Sequence, residues 1–558
     1  MKKTIIFSII LTSSIFGAKY DIEELKQKPN SLAKDYYIYK SIDKQNITQE
    51  EADELKQHIY RYVGKIQKLI EQISPTIKDN NFGYIVKKNP TCFGYTYKNI
   101  LEYSTECQRL IIDNDFETLS KIDKEARVLL LDTFKEDQNI SDTLNALNAD
   151  NPMDYLANKN AYVFLRFYAN GRTNFTDFHA NKSFILDLKS SKNYDSFIDA
   201  NIRNKRYPKL RSTLIATDTK DLKPQTAFYL GINALDFNKP KEAMKFFQTA
   251  YDGYDNLESK DNSLFWIYYL TKNKKQKQEL LTKLASSKSI NIYSIYAKEL
   301  LKMPLPNYNN GIIKPKPTKQ KLENFDIKDP FAWQDLSVQI AKLRHDKVAL
   351  SNLAQQYFTK ETLPHFSYID SIASGYKNQY FLMPYNEYLQ GDNKRKALIL
   401  AIARQESRFI PAAISTSYAL GMMQFMPFLA DHVGKELLKI KDFDADLMFD
   451  PKVAYEFANI HIDYLKKHLN SPVFIAYAYN GGLGFTKRML SRDDMFKKGK
   501  YEPFLSMEFV PYVESKIYAK KVLANYIIYS NLLGEKIKIS KVFADLNSQT
   551  DQNLVKSQ

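Results

Sequence analysis

Apolar residues recur at helical spacing from about residue 20 to residue 300, and only short polar breaks interrupt them. The clearest stretch is Ala227-Phe228-Tyr229-Leu230-Gly231 and Ala234-Leu235, a break at Asn238-Lys239-Pro240, then Ala243-Met244, Phe246-Phe247 and Ala250-Tyr251. Small residues alternate there with aromatics at spacings of three, four and seven, which predicts a helix hairpin of tetratricopeptide-like kind. Residues 263–269 and 292–301 predict further helices of the same stack. No strict period holds, so the expectation is an irregular helical solenoid. A solenoid offers a long concave surface for an extended ligand, or serves as scaffold alone. The 17 Gly and 20 Pro in 558 residues are too few for a chain of short strands and tight turns, which agrees with helix.

At that length three or four domains are expected. The helical pattern breaks at Met303-Pro304-Leu305-Pro306, Asn309-Asn310-Gly311 and Lys314-Pro315-Lys316-Pro317, a linker by composition. Phe331-Ala332-Trp333, Leu336, Ile340 and Leu343 then open another helical segment, which runs to roughly residue 389.

Lys2 and Lys3 precede an apolar run over residues 4–11, and the stretch closes at Phe16-Gly17-Ala18. This is the layout of a cleaved signal peptide, and the run is shorter than the ~20 apolar residues that span a bilayer. No Cys follows it, so no lipid anchor is expected. Export is the expectation, with no stable membrane insertion. In an oxidising compartment Cys92 and Cys107, the only two cysteines, can pair, and closing their loop stabilises by roughly 3 kcal/mol. Two free thiols on adjacent helices are the alternative.

Lys plus Arg number 80 against 64 Asp plus Glu, a formal net charge of +16. Such a balance draws a protein toward polyanions: nucleic acid, anionic membrane or acidic cell-wall polymer. The excess is spread along the chain, so charge does not choose among them. Export and the lack of a concentrated basic motif oppose nucleic acid. The 39 Tyr and 34 Phe are what an AT-rich genome encodes alongside Lys, Asn and Ile, and are not evidence of a stacking surface.

The region that carries chemistry starts at residue 397. Residues 397–403 are apolar on every side, which predicts a buried helix ending in Arg404-Gln405-Glu406-Ser407-Arg408-Phe409, with Pro411 as its stop. A carboxylate at the end of a buried helix is costly unless paired or protonated, and desolvation raises its pKa toward what a general acid needs. Glu406 could instead pair with Arg404 or Arg408. Then come Ser415-Thr416-Ser417-Tyr418-Ala419-Leu420-Gly421-Met422-Met423-Gln424-Phe425-Met426-Pro427, predicted as a polar turn joined to a helix through Gly421. Ala478-Tyr479-Asn480-Gly481-Gly482 and Met507-Glu508-Phe509-Val510-Pro511-Tyr512-Val513-Glu514 follow.

The order Glu-Ser, Gly-x-Met-Gln-x-Met-Pro, Ala-Tyr-Asn-x-Gly and Glu-x-Val-Pro-Tyr-x-Glu resembles the soluble lytic transglycosylases, over about residues 390 to 530. The resemblance implies a mainly α protein: a signal peptide at 1–18, a ring-like helical solenoid (U) domain at 19–310, a small helical linker (L) domain at 311–385, and a goose-lysozyme-like catalytic (C) domain at 386–558. It implies Glu406 as the single acid/base and Ser415 near the reacting sugar. Gln424 and Met426 would form the groove wall, and Tyr479 would position the carboxyl or the sugar. Glu508 would be a second carboxylate in the groove, with Gly421 and Asn480 shaping the backbone nearby. Two departures stand out, since the family usually has Gly where Tyr418 stands and Arg where Lys516 stands. The first would narrow or redirect the groove, and the second removes a bidentate ion-pairing fork.

The implied reaction is non-hydrolytic cleavage of peptidoglycan glycan strands in the periplasm, by a monomer, alone or beside other cell-wall enzymes, without metal or cofactor. A glycosidase that releases a reducing end usually needs two carboxylates. With one, the substrate's own C6 hydroxyl must serve as nucleophile. His461 and His468, seven apart, lack a third ligand for a metal. A hydrolytic muramidase and a noncatalytic wall-binding scaffold are the competing readings.

Overall fold

The computed structural model describes residues 20–44, 47–75 and 82–547; the expected signal peptide lies outside them. Among the described residues the regular structure is helical, with isolated β-bridges and no strand, so the mainly α expectation holds.

By contacts the chain divides into two compact units, each assembled from separate stretches. The first gathers residues up to 76, 306–464 and 528–535; the second gathers 77–305, 465–527 and 536 onward. In the first unit the helix Leu32–Lys44 packs on Pro330–Lys342, with Tyr37 stacked on Phe331 at 5.8 Å. That return of the N-terminal helices to the segment after the linker is what takes them out of the solenoid.

In the second unit most helices of the stretch 105–300 pack on the next one along the chain, which is solenoid behaviour. The expected hairpin is there as Pro224–Asp236 and Pro240–Gly253, turned by Asn238 in the left-handed region (φ 53°). Gly231 lets the two helices close: a Cβ there would meet the Phe247 ring at 2.7 Å. The further expected helices are Leu257–Leu270 and Ile292–Leu300.

Cys92 and Cys107 are joined, with Cα atoms 5.5 Å apart. Both sulfurs sit in a small core with Ile85, Ile100, Ile111 and Leu130. Because the bond closes a loop of 15 residues, replacing both cysteines by Ser should lower stability by about 3 kcal/mol in urea unfolding. A loss below about 1 kcal/mol would show that core packing alone holds these residues.

The segment after the linker forms Pro330–Lys342, Lys347–Gln356 and Leu363–Ala373. The linker itself is tied down at Ile313, which bridges to Tyr380.

Candidate active site

Asp392 caps the helix Asn393–Ser407 by accepting from the Arg395 amide at 2.8 Å. All seven residues from Ala397 to Ala403 are buried, as their sequence predicts. The helix stops earlier than the proline at 411 would require. Arg408 adopts φ 55° and Phe409 φ 68°, so two successive left-handed residues end it at Ser407. This cap holds Glu406 on the last turn, where its side chain is partly exposed. Arg404 is turned inward instead. Its Nε donates to the Tyr380 carbonyl at 2.9 Å, and its guanidinium lies 4.0 Å from the Phe381 ring centroid. Burial pulls its pKa down to about 10, so it stays charged at neutral pH. Arg408 rests between the rings of Tyr368 and Tyr376, each at 5.6 Å.

The stretch after Pro411 is a double turn, not the start of a helix. Leu420 and Phe425 exchange both backbone hydrogen bonds, at 2.8 and 3.0 Å, and Leu420 also bridges to Ile414. Gln424 sits at φ 50° and its amide donates to the carbonyls of Ala413 and Gly421, so a helix begins only at Pro427. Gly421 has φ 74°, and a Cβ there would lie 1.9 Å from the Met448 carbonyl oxygen. No other residue fits that approach. Ser415 Oγ accepts from the amides of Ser417 and Ala419, which closes the first turn. Ser407 Oγ donates to the Met422 carbonyl at 2.9 Å and so ties the second turn to the end of the helix that carries Glu406. The first unit thus brings Glu406, Ser415, Gly421, Gln424 and Met426 into one short run of connected backbone, with Ser415, Gln424 and Met426 partly exposed.

Tyr418 stands at φ 62°, a conformation that costs a bulky residue roughly 1–2 kcal/mol and suits the glycine usual at this place. Its ring is 4% exposed and packs against Tyr36 at 6.0 Å and Tyr39 at 5.3 Å. The ring therefore points at the N-terminal helix. Burying an aromatic side chain contributes about 1.5–3 kcal/mol, enough to offset the backbone cost.

The second unit holds the remaining expected residues. Tyr479 and Asn480 end the helix Pro472–Gly481 and are partly exposed. Asn480 accepts from Ser515 Oγ at 2.6 Å and donates to Glu514 at 3.1 Å, which fixes that helix end to the helix Val513–Leu532. At Gly481 a Cβ would meet Ser515 Oγ at 2.8 Å.

Glu508 ends the short helix Phe504–Glu508 of the second unit. It is 2% exposed and takes hydrogen bonds from Lys520 Nζ at 2.5 Å, Asn262 at 3.0 Å and the Tyr293 hydroxyl at 3.1 Å. Lys516 Nζ lies 3.8 Å away and donates to the Tyr229 hydroxyl at 3.0 Å. Burial alone would raise the Glu508 pKa, but the two ammonium charges and these hydrogen bonds outweigh it and hold the carboxyl below its usual range. Burial also lowers the pKa of both lysines. The arginine fork expected where Lys516 stands is replaced by two point charges, from Lys516 and Lys520. Their spacing of four, one face of a helix, was the only sequence signal of this cluster. Asn262, Tyr293 and Tyr229 carry none, because their partners lie more than 200 residues away.

His461 is half-buried within the helix Pro451–Lys466, where desolvation pushes its pKa down to about 4, whereas His468 lies beyond that helix. Among the described residues no group of three or more His, Cys, Asp or Glu is placed to hold a metal ion.

Residues 383–502 match the family model described as the transglycosylase SLT domain. A stretch of 162 residues is 29% identical to the soluble lytic murein transglycosylase of Salmonella typhimurium and covers 28% of this chain and 24% of that protein. The chain therefore spans about a quarter of the length of such curated relatives. Over 110 residues it is 34% identical to the membrane-bound lytic murein transglycosylase C of Pectobacterium atrosepticum, covering 18% of this chain and 30% of that one. A solved structure of the lytic transglycosylase Slt from Pseudomonas aeruginosa covers 92% of this chain and 78% of its own, at 16% identity and a TM-score of 0.49.

Proposed function

We propose that the chain is a lytic murein transglycosylase, which cuts the β-1,4 bond between N-acetylmuramic acid and N-acetylglucosamine without adding water. Glu406 protonates the glycosidic oxygen as the bond breaks. The muramyl N-acetyl group stabilises the positive anomeric carbon, as in substrate-assisted exceptions to the two-carboxylate rule. Glu406, now a carboxylate, takes the proton of the C6 hydroxyl of the same sugar, whose oxygen closes a 1,6-anhydro ring. Ser415, Gln424 and Met426 hold the sugars. The match over residues 383–502 supports the substrate class. Its setting is the cell-wall compartment, reached by export; among the described residues no helix is long and apolar enough to cross a membrane.

One observation favours this over the hydrolytic muramidase. A hydrolase usually uses a second carboxylate to activate water or attack the sugar. Glu508, the residue the motifs offer for that, is buried, with Oε1 taking hydrogen bonds from Lys520, Tyr293 and Asn262 and Oε2 facing Lys516 at 3.8 Å.

Mass spectrometry of digested peptidoglycan tests the proposal. The expected products end in 1,6-anhydro-N-acetylmuramic acid, one water lighter than lysozyme products and resistant to borohydride. Predominantly reducible, water-added products would establish the muramidase instead.

A further inference from the structure

The helix Leu32–Lys44 lies far from Glu406 in sequence, yet it grips both supports of the double turn beside that residue. Tyr36 and Tyr37 donate their hydroxyls to the two oxygens of Asp446, at 2.8 and 3.0 Å. Lys40 Nζ reaches Asp444 at 2.5 Å and Asp446 at 2.7 Å. Asp446 belongs to the turn Ala445–Phe449, whose Met448 carbonyl is the surface that Gly421 rests on. The second grip is the Tyr418 ring, seated between Tyr36 and Tyr39. A third contact runs from Lys65 Nζ to the Ser417 carbonyl at 3.4 Å. From Gly421 the connection reaches Met422, whose carbonyl takes the Ser407 hydroxyl next to Glu406.

We propose that the N-terminal helix is a working part of the candidate active site, and that Tyr418 is the positioning residue through which it holds the double turn in its glycan-binding shape. The proposal rests on the transglycosylase reading for the identity of the ligand. Its physical basis is the local conflict at Tyr418. The left-handed backbone there would be satisfied by Gly, and only the ring's seat between two tyrosines justifies a bulky side chain. Besides that seat, the first turn is touched by Lys65, which stands on the separate helix Gly64–Ile73. Without the seat, Ser415, at the base of that turn, and Gln424, in the next, would sample other conformations before each binding event.

The substitution Tyr418→Gly separates the ring from the backbone, because Gly adopts φ 62° freely and the fold is kept. Binding is measured to soluble, uncrosslinked peptidoglycan strands in a Glu406→Gln background, so that no turnover intervenes. Tyr418→Gly should weaken it about tenfold, while Tyr418→Phe, which keeps the ring, should stay within about twofold. Hydrogen exchange should quicken at the amides of Ala419, Leu420 and Phe425, and stay unchanged in the buried helix at residues 397–403. Tyr39→Ala should reproduce both effects in part from the other side of the contact. Unchanged affinity with unchanged exchange would overturn the proposal. So would a loss of affinity that merely follows the fraction of protein unfolded, or equal losses in the Gly and Phe variants. These readouts do not depend on the product, so a failure of the transglycosylase chemistry would be seen separately, in the mass spectrum.

Discussion

Glu406→Gln should reduce the release of soluble muropeptides from purified cell wall at least a hundredfold, with thermal unfolding unchanged. The size follows from the two steps the residue is assigned. General acid–base catalysis contributes about 10²–10⁴-fold, and here one carboxyl supplies both the proton that leaves with the departing sugar and the base for the C6 hydroxyl. Gln matches its shape but can neither donate a proton to the glycosidic oxygen nor accept one from the hydroxyl. Stability should not change, because the helix is held by the buried residues 397–403 and by the left-handed cap at Arg408, none of which the substitution touches. Residual activity above about a hundredth of wild type would remove Glu406 from the mechanism. Activity lost together with a lower melting temperature would instead place its role in the fold.

Glu508→Gln should destabilise the second unit by about 3–5 kcal/mol, the cost of leaving buried charges without their counter-ion. The neutral amide keeps the shape and most hydrogen bonds around Tyr293 and Asn262, but removes the carboxylate that Lys516 and Lys520 share, the largest opposite charge acting on each. The sign of the pH dependence follows from the depressed native pKa. A carboxyl ordinarily titrating at 4.5 and held lower in the folded state contributes its full stabilisation above that ordinary value. The contribution fades as pH falls toward the native value and is gone below it. Urea unfolding across the acid range should show this loss in the wild type, and the Gln variant should lack that part of it. A stability change below about 1 kcal/mol, or the same acid dependence in both proteins, would show that the lysines are neutral in the fold. The remaining Glu508→Gln protein should still yield anhydro products, since no step is assigned to this carboxyl.

Local sequence carried the helices because each has its own signal. The apolar seven at 397–403, the polar break at Asn238-Lys239-Pro240 and the proline-rich stretch at 304–317 needed no distant partner to be read. The end of the helix bearing Glu406 was not legible in the same way. Proline at 411 marked a stop, but two left-handed residues impose it earlier, and a positive φ at Arg408 and Phe409 has no side-chain signature. The same blindness made Gly421 look like a helix start, when its conformation serves a turn packed against the Met448 carbonyl.

What the sequence by itself determined is the helical class and the order of the motifs, each encoded within a few neighbouring residues. The tertiary structure alone decided where Tyr418 points and what surrounds Glu508. Tyr36 and Tyr39 meet Tyr418 across more than 370 positions, and Asn262 meets Glu508 across 246. Periodicity and motif spacing report neighbours along the chain, whereas a buried charge and a left-handed tyrosine are stabilised by whatever the fold brings against them.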